Sequence, residues 1–241
     1  MKNKCSLLCF VMMLLLCVQG SAQSSISVPK NKYGLQLINN IQLFRQTIKA
    51  DSNRQMVSLS SIIPGIVIDL RYAYANNFVH RKMYPLDTAI TFLRLPAAKA
   101  LQNIQLALNS QGYALKIFDA YRPYCTTLEF WKLIHDKRYV ASPATGSAHN
   151  RGTAVDVTLI EAASGKELYM GTGFDNFTDS AHHSFTQLPA NAVANRKLLK
   201  AVMHQFGFRS LDTEWWHYSW PGNFEVLDIS FPQLLQMDAK K

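Results

Sequence analysis

Apolar positions along the chain change period often enough to divide it into elements. A largely apolar run from Cys5 to Val18 follows Lys2 and Lys4 and is followed by the small residues Gly20-Ser21-Ala22. Between Leu37 and Lys49 the apolar residues Ile38, Ile41, Phe44 and Ile48 recur at helical spacing, which predicts an amphipathic helix. Alternation from Ile66 to Tyr72 predicts a strand delivering Tyr72 at its end. Pro96 opens a helix with Leu101, Ile104 and Leu108 inward, and Gly112 stops it. A strand over Tyr113 to Ala120 leads into Asp119-Ala120-Tyr121-Arg122-Pro123, and a helix is expected over Thr126 to His135 with Phe130 apolar. From Thr153 to Leu159 the pattern alternates again, with Val155, Val157 and Leu159 on one face and Ala154, Asp156 and Thr158 on the other. Glu161 to Lys166 reads as a turn. Asn195 to Phe206 reads as a helix stopped by Gly207. Strands and helices mixed in this way predict an α+β fold.

The first apolar run is too short for a comfortable membrane span and has the form of a secretory signal peptide over residues 1–22. Residues 23–50 then form an N-terminal extension with the amphipathic helix, and residues 51–241 a single catalytic domain. On this reading the chain is exported, with the periplasm as its expected location and no stable membrane insertion after cleavage. Three of the four cysteines leave with the signal, so no intramolecular disulfide is expected, and Cys125 reads as a buried structural thiol. The formal charge is +9, and the chain stays basic without Lys2 and Lys4. Its basic residues are scattered rather than clustered, which argues against nucleic acid as a partner.

Candidate chemistry gathers in Ser147-Ala148-His149-Asn150-Arg151-Gly152-Thr153-Ala154-Val155-Asp156 and in Glu214-Trp215-Trp216-His217. A catalytic zinc takes three protein ligands and keeps an open position, and imidazole and carboxylate suit it. Gly152 lets the loop fold back so that His149 points where Asp156 points, and His217 closes the set from a distant segment. One His beside an Asp is commonplace and more often stabilises a turn. Glu214 changes the balance, because hydrolysis needs a carboxylate outside the ligand set to move protons. Residues three apart on a regular strand face opposite sides, so Glu214 can join His217 only through a bend or bulge. His182 and His183 are adjacent and read as lid or surface residues, and His204 as structural.

Ser-x-His-x-x-Gly-x-Ala-x-Asp followed by Glu-x-Trp-His resembles the signature of the zinc D-Ala-D-Ala peptidases, a family that includes the hedgehog signalling domain. Asp69-Leu70-Arg71-Tyr72-Ala73, Asp119-Ala120-Tyr121-Arg122-Pro123 and Met170-Gly171-Thr172-Gly173-Phe174-Asp175 make the chain most similar to the D-alanyl-D-alanine dipeptidases of the VanX type. The resemblance implies a small mostly antiparallel sheet with helices packed on it and one zinc on His149, Asp156 and His217, with Glu214 as general base and acid and Arg122 stabilising the oxyanion. It further implies substrate binding by Tyr72, Ser147, Asp175 and Phe130, and a small dipeptide as substrate. From the residues alone, Arg122 reads rather as a surface ion pair with Asp119, and Tyr72 and Phe130 read equally as core aromatics. Two other functions stay open at this point: a carboxypeptidase or endopeptidase on peptidoglycan stems, and a non-catalytic zinc-stabilised binding module.

Overall fold

The computed structural model describes residues 26–85, 90–137 and 139–238, so the signal-peptide segment 1–22 lies outside the described residues. A short strand, β1 (Leu37–Ile38), precedes helix α1 (Ile41–Ala50). The helix starts later than the apolar spacing predicts, because the Asn40 side chain accepts from the backbone N–H groups of Gln42 and Leu43 and caps it. Ile38 therefore belongs to a strand, while Phe44 of α1 is fully buried. Strand β2 (Met56–Ser58) runs into the single-turn helix α2 (Leu59–Ile62), and β3 spans only Val67–Ile68. The expected strand up to Tyr72 is thus cut short. Residues Arg71–Ala73 form a 3-10 turn instead, with Ala73 N–H donating to Leu70 O, and this turn delivers Tyr72.

Strand β4 (Phe92–Arg94) leads directly into α3 (Leu95–Asn109), with Pro96 in its first turn and Leu101, Ile104 and Leu108 buried. Strand β5 (Tyr113–Asp119) and helix α4 (Tyr124–Ile134) follow, then β6 (Ala154–Glu161). Helix α5 (Ala190–Gln205) begins a turn earlier than Asn195, directly after Pro189. The chain ends in β7 (Arg209–Leu211), β8 (Glu214–Ser219), β9 (Val226–Leu227) and α6 (Phe231–Asp238). Among the described residues no helix is long and apolar enough to cross a membrane.

The central sheet has the order β3-β5-β6-β8-β7, antiparallel except where β3 pairs parallel to β5. This is the α+β architecture expected from the pattern. Helices α3 and α5 cover one side, burying Leu101, Ile104, Leu199 and Met203 against Ile117, Val155 and Val157. β1 pairs with β9, and Phe44 joins the cluster containing Tyr72, Tyr121 and Phe231, so the chain from residue 26 onward shares the core of the domain.

One buried cation ties these parts to the metal-site loop. Arg94 is fully buried, and its guanidinium donates to the carbonyls of Arg54, Arg151 and Glu225. Its backbone N–H reaches Gly152 O at 2.8 Å, so the end of β4 clamps the turn that precedes β6. Gly152 sits at φ 69°, and an added Cβ would lie 2.5 Å from Met56 Cε. Gly152→Ala should therefore cost roughly 1–3 kcal/mol from backbone strain and overpacking together. Gly112→Ala, at φ 79° with nothing near the new methyl, should cost only the backbone part, about 1 kcal/mol. Urea unfolding of the two variants checks the difference.

Candidate active site

His149 lies in a 3-10 turn (His149–Arg151) that Gly152 ends in the left-handed conformation. Its Nδ1 is 2.7 Å from Ala120 O. A carbonyl can only accept, so Nδ1 carries the proton and Nε2 presents its lone pair. That Nε2 stands 3.2 Å from His217 Nδ1 and 3.4 Å from Asp156 Oδ2, and His217 Nδ1 is 2.9 Å from Asp156 Oδ1. Four ligands placed tetrahedrally at zinc–ligand distances of about 2.0–2.1 Å stand about 3.3–3.4 Å apart. Two imidazole nitrogens and one carboxylate at these separations fit a zinc ion in both chemistry and spacing. Burial would raise the Asp156 carboxyl, but the two imidazoles overcome it and hold the group well below the usual carboxylate range.

Sheet register explains how these groups meet. Asp156 of β6 is directly opposite His217 of β8, and cross-strand partners share a face. On its other edge β8 pairs irregularly with β7: Ser210 faces Tyr218, but Leu211 faces Glu214, leaving Trp215, Trp216 and His217 out of the ladder. This bulge turns Glu214 to the side of His217, with Glu214 Oε2 4.0 Å from His217 Nδ1. Burial raises the Glu214 carboxyl above its ordinary value against the opposing pull of His217. A carboxylate so raised, close to the cluster yet outside its closest contacts, is suited to proton transfer.

A second bulge, between Ile117 and Asp119 on β5, brings Asp119 opposite Asp156. Asp119 is fully buried. It accepts from Arg122 Nε at 3.0 Å and from the terminal guanidinium NH2 at 2.6 Å, and from the Tyr84 hydroxyl at 2.5 Å. The Arg122–Asp119 ion pair is therefore an internal strut rather than a surface bridge. Arg122 lies over the rings of Tyr72 and Phe130, 5.0 and 5.1 Å from their centroids, which leaves its guanidinium a single orientation. Asn150 locks this assembly to the metal-site turn by donating to Arg122 O and Thr127 Oγ1, both at 2.8 Å. Asp119 and Tyr84 are functional neighbours that the sequence pattern does not single out. An Asp three residues before an Arg is common on surfaces, and only burial reveals its purpose.

The Tyr72 hydroxyl donates to Asp175, 3.1 Å from each carboxylate oxygen. Asp175 sits at φ 56°, in the left-handed backbone region. Burial first, and then the nearby Asp156, push its carboxyl well above the ordinary range. Phe130 is buried, packed edge-on against Tyr72 and stacked on Phe78. Ser147 Oγ accepts from Asn150 N–H. Tyr72, Arg122, Phe130, Ser147, His149, Asp156, Asp175, Glu214 and His217 all line one cavity of about 240 Å³. Phe78, Phe177 and Trp216 also line it; Trp216 belongs to the Glu-x-Trp-His signature on β8, whereas Phe177, an isolated aromatic in a loop, carried no sequence signal for this.

His182 and His183 stand outside this cavity. His182 faces Asp179 at 3.9 Å, and burial pushes the His183 imidazole down to about 4. Cys125 departs from expectation. It is exposed in the first turn of α4, where the core-facing side is taken by Tyr124 and Thr126 and its backbone N–H is held by Asp228.

Residues 52–236 match the M15 peptidase family described as D-Ala-D-Ala dipeptidase. A D-alanyl-D-alanine dipeptidase of Escherichia coli (strain K12) is 36% identical over 167 residues, covering 69% of this chain and 85% of that protein. Those of Enterococcus faecium and Enterococcus faecalis (strain ATCC 700802 / V583) are each 29% identical, covering 66% and 72% of this chain and 88% and 92% of their own lengths. With the match spanning the catalytic cavity and nearly all of the described chain, this protein belongs to the D-Ala-D-Ala dipeptidase family of M15 peptidases.

Proposed function

We propose that this chain is a zinc dipeptidase that hydrolyses D-Ala-D-Ala to two molecules of alanine. The observation that carries this is the small size of the site: nine candidate residues gather around about 240 Å³, below the roughly 300–1,000 Å³ of pockets for drug-sized ligands. Zinc held by His149, Asp156 and His217 would supply a Lewis acid that acidifies water and polarises the scissile carbonyl. Glu214 takes the proton of the attacking water and passes it to the leaving amine. Arg122, fixed by Asp119, places positive charge against the oxyanion of the tetrahedral stage. Asp175, oriented by Tyr72, receives the substrate's ammonium group. Ser147 lies where it can hydrogen-bond the peptide, and Phe130 shapes the wall behind Arg122. A stem-peptide carboxypeptidase would need room for a longer chain than about 240 Å³ holds, and a structural zinc module would need neither Glu214 nor Arg122. The test is release of free alanine from D-Ala-D-Ala by zinc-loaded protein; cleavage of a wall pentapeptide in preference to the dipeptide would transfer the reading to the carboxypeptidase.

Asp175 supports a prediction on stability as well as binding. Its folded pKa is raised, so its contribution to stability is present below the unfolded carboxylate range and lost as pH rises through the folded value. Above the unfolded carboxylate range the raised value therefore costs stability. Asp175→Asn removes that cost, and Asn tolerates the left-handed backbone. The variant should unfold at higher urea concentration at pH 7 with metal chelated, while KM for D-Ala-D-Ala rises roughly tenfold or more through loss of a charged hydrogen bond.

Residues 1–22 are proposed as a cleaved secretory signal, which would place the activity in the periplasm. N-terminal sequencing of the protein recovered from cells should then begin at Gln23.

A further inference from the structure

The loop between Met170 and His182 carries Asp175, and a single arginine holds its stem. Arg196 of α5 is buried, and its guanidinium donates to Met170 O at 2.6 Å, Ser180 O at 2.9 Å and His182 O at 3.2 Å. Both ends of the loop are thereby tied to one group. Within it, Asn176 Oδ1 accepts from the N–H and the hydroxyl of Thr178, at 3.0 and 2.6 Å, which fixes the turn that presents Phe177. The Phe177 ring stands 4.6 Å from Tyr139 and 5.1 Å from Phe78, centroid to centroid. Phe78 in turn lies 6.2 Å from Tyr72, the hydrogen-bond partner of Asp175. A row of rings therefore leads from the carboxylate proposed for the ammonium group to Phe177 and Tyr139. A second cavity, of about 330 Å³, adjoins the catalytic one there: Phe177, Tyr139 and Glu214 line both. Rings 4.6 Å apart are in contact, and no peptide backbone passes between them.

We propose that Phe177, backed by Tyr139, is the partition that restricts this site to peptides with a free amino terminus, by separating the catalytic cavity from its neighbour on the substrate's amino side. This deepens the dipeptidase reading and rests on it for the placing of the ammonium group at Asp175. A peptide extended at its amine has to continue past Phe177, two residues further along the loop, and the ring pair fills that path. Asp175 attracts the ammonium group, and Phe177 clashes with whatever replaces it. The same discrimination is thus made twice, once by charge and once by shape.

Phe177→Ala should join the two cavities. The readout is kcat/KM for N-acetyl-D-Ala-D-Ala divided by kcat/KM for D-Ala-D-Ala, followed as D-alanine release by zinc-loaded protein. Loss of the ammonium group penalises variant and unaltered protein alike, so a change in the ratio reports the partition. The ratio should rise about ten- to a hundredfold in Phe177→Ala, the scale of steric discrimination in a pocket. It should rise by less in Phe177→Leu, which serves if the alanine variant does not fold. Leu211→Ala widens the catalytic cavity at an exposed residue that does not line the second one, and should leave the ratio as it is. An unchanged ratio in both Phe177 variants would overturn the proposal, as would an equal rise in Leu211→Ala. If the unaltered protein releases no alanine from D-Ala-D-Ala, the dipeptidase reading fails by itself. The partition is then judged by calorimetric affinities of the same two peptides for zinc-loaded Glu214→Gln protein, with and without Phe177→Ala; the affinity ratio should shift by the same factor, and a constant ratio would overturn it.

Discussion

Glu214→Gln will lower kcat for D-Ala-D-Ala by about a hundred- to ten-thousand-fold, the usual contribution of a positioned general acid–base. The amide keeps the shape and one accepting oxygen but cannot take a proton from water. Glu214 Oε2 is 4.0 Å from His217 Nδ1, outside the 2.9–3.4 Å spacing of the three candidate ligand atoms. The variant should therefore still bind one zinc per chain, as metal analysis of dialysed protein would report. Full activity in the variant would place the base elsewhere, and loss of zinc would make Glu214 a ligand.

Arg122→Ala should reduce kcat by about a hundred- to a thousand-fold, as removal of an oxyanion-stabilising donor does. It should also reduce stability by roughly 3–5 kcal/mol, because Asp119 would remain fully buried with its cationic partner gone. The two losses are separable. Pairing Arg122→Ala with Asp119→Asn removes the stranded charge, and the Tyr84 hydroxyl can still donate to the amide oxygen. The double variant should recover most of the stability, measured by urea unfolding, and none of the activity. Arg122→Lys should fare poorly too. Its ammonium keeps the charge, but it cannot reproduce two parallel N–H groups reaching Asp119 while lying flat over Tyr72 and Phe130.

These predictions depend on residues that differ in how plainly they can be read along the chain. His149, Gly152 and Asp156 are close in sequence, and the alternation over Thr153 to Leu159 already puts Asp156 on a face shared with Ala154 and Thr158. Local geometry therefore suffices for that half of the site. The Arg122 motif is equally visible as a strand end followed by Pro123, and the start of α3 follows from Pro96, whereas α4 begins at Tyr124, two residues before the expected Thr126. Periodicity misleads where a side chain captures the backbone, as Asn40 does at the start of α1, and where a strand is too short to keep its alternation, as at Tyr72.

Sequence by itself determined the longer elements, the family signature and the identity of the chemically competent residues, because propensity, capping and spacing act over a few neighbours. Only the tertiary structure decided what those residues do to one another. The bulges in β5 and β8 set which side chains share a face, and a strand's own alternation cannot report residues that fall out of a ladder with a distant partner. Burial turned Asp119 from a plausible surface ion into the strut behind Arg122, and it raised the carboxyls of Glu214 and Asp175. Desolvation is a property of everything packed around a group, and that packing is assembled from segments far apart in the chain.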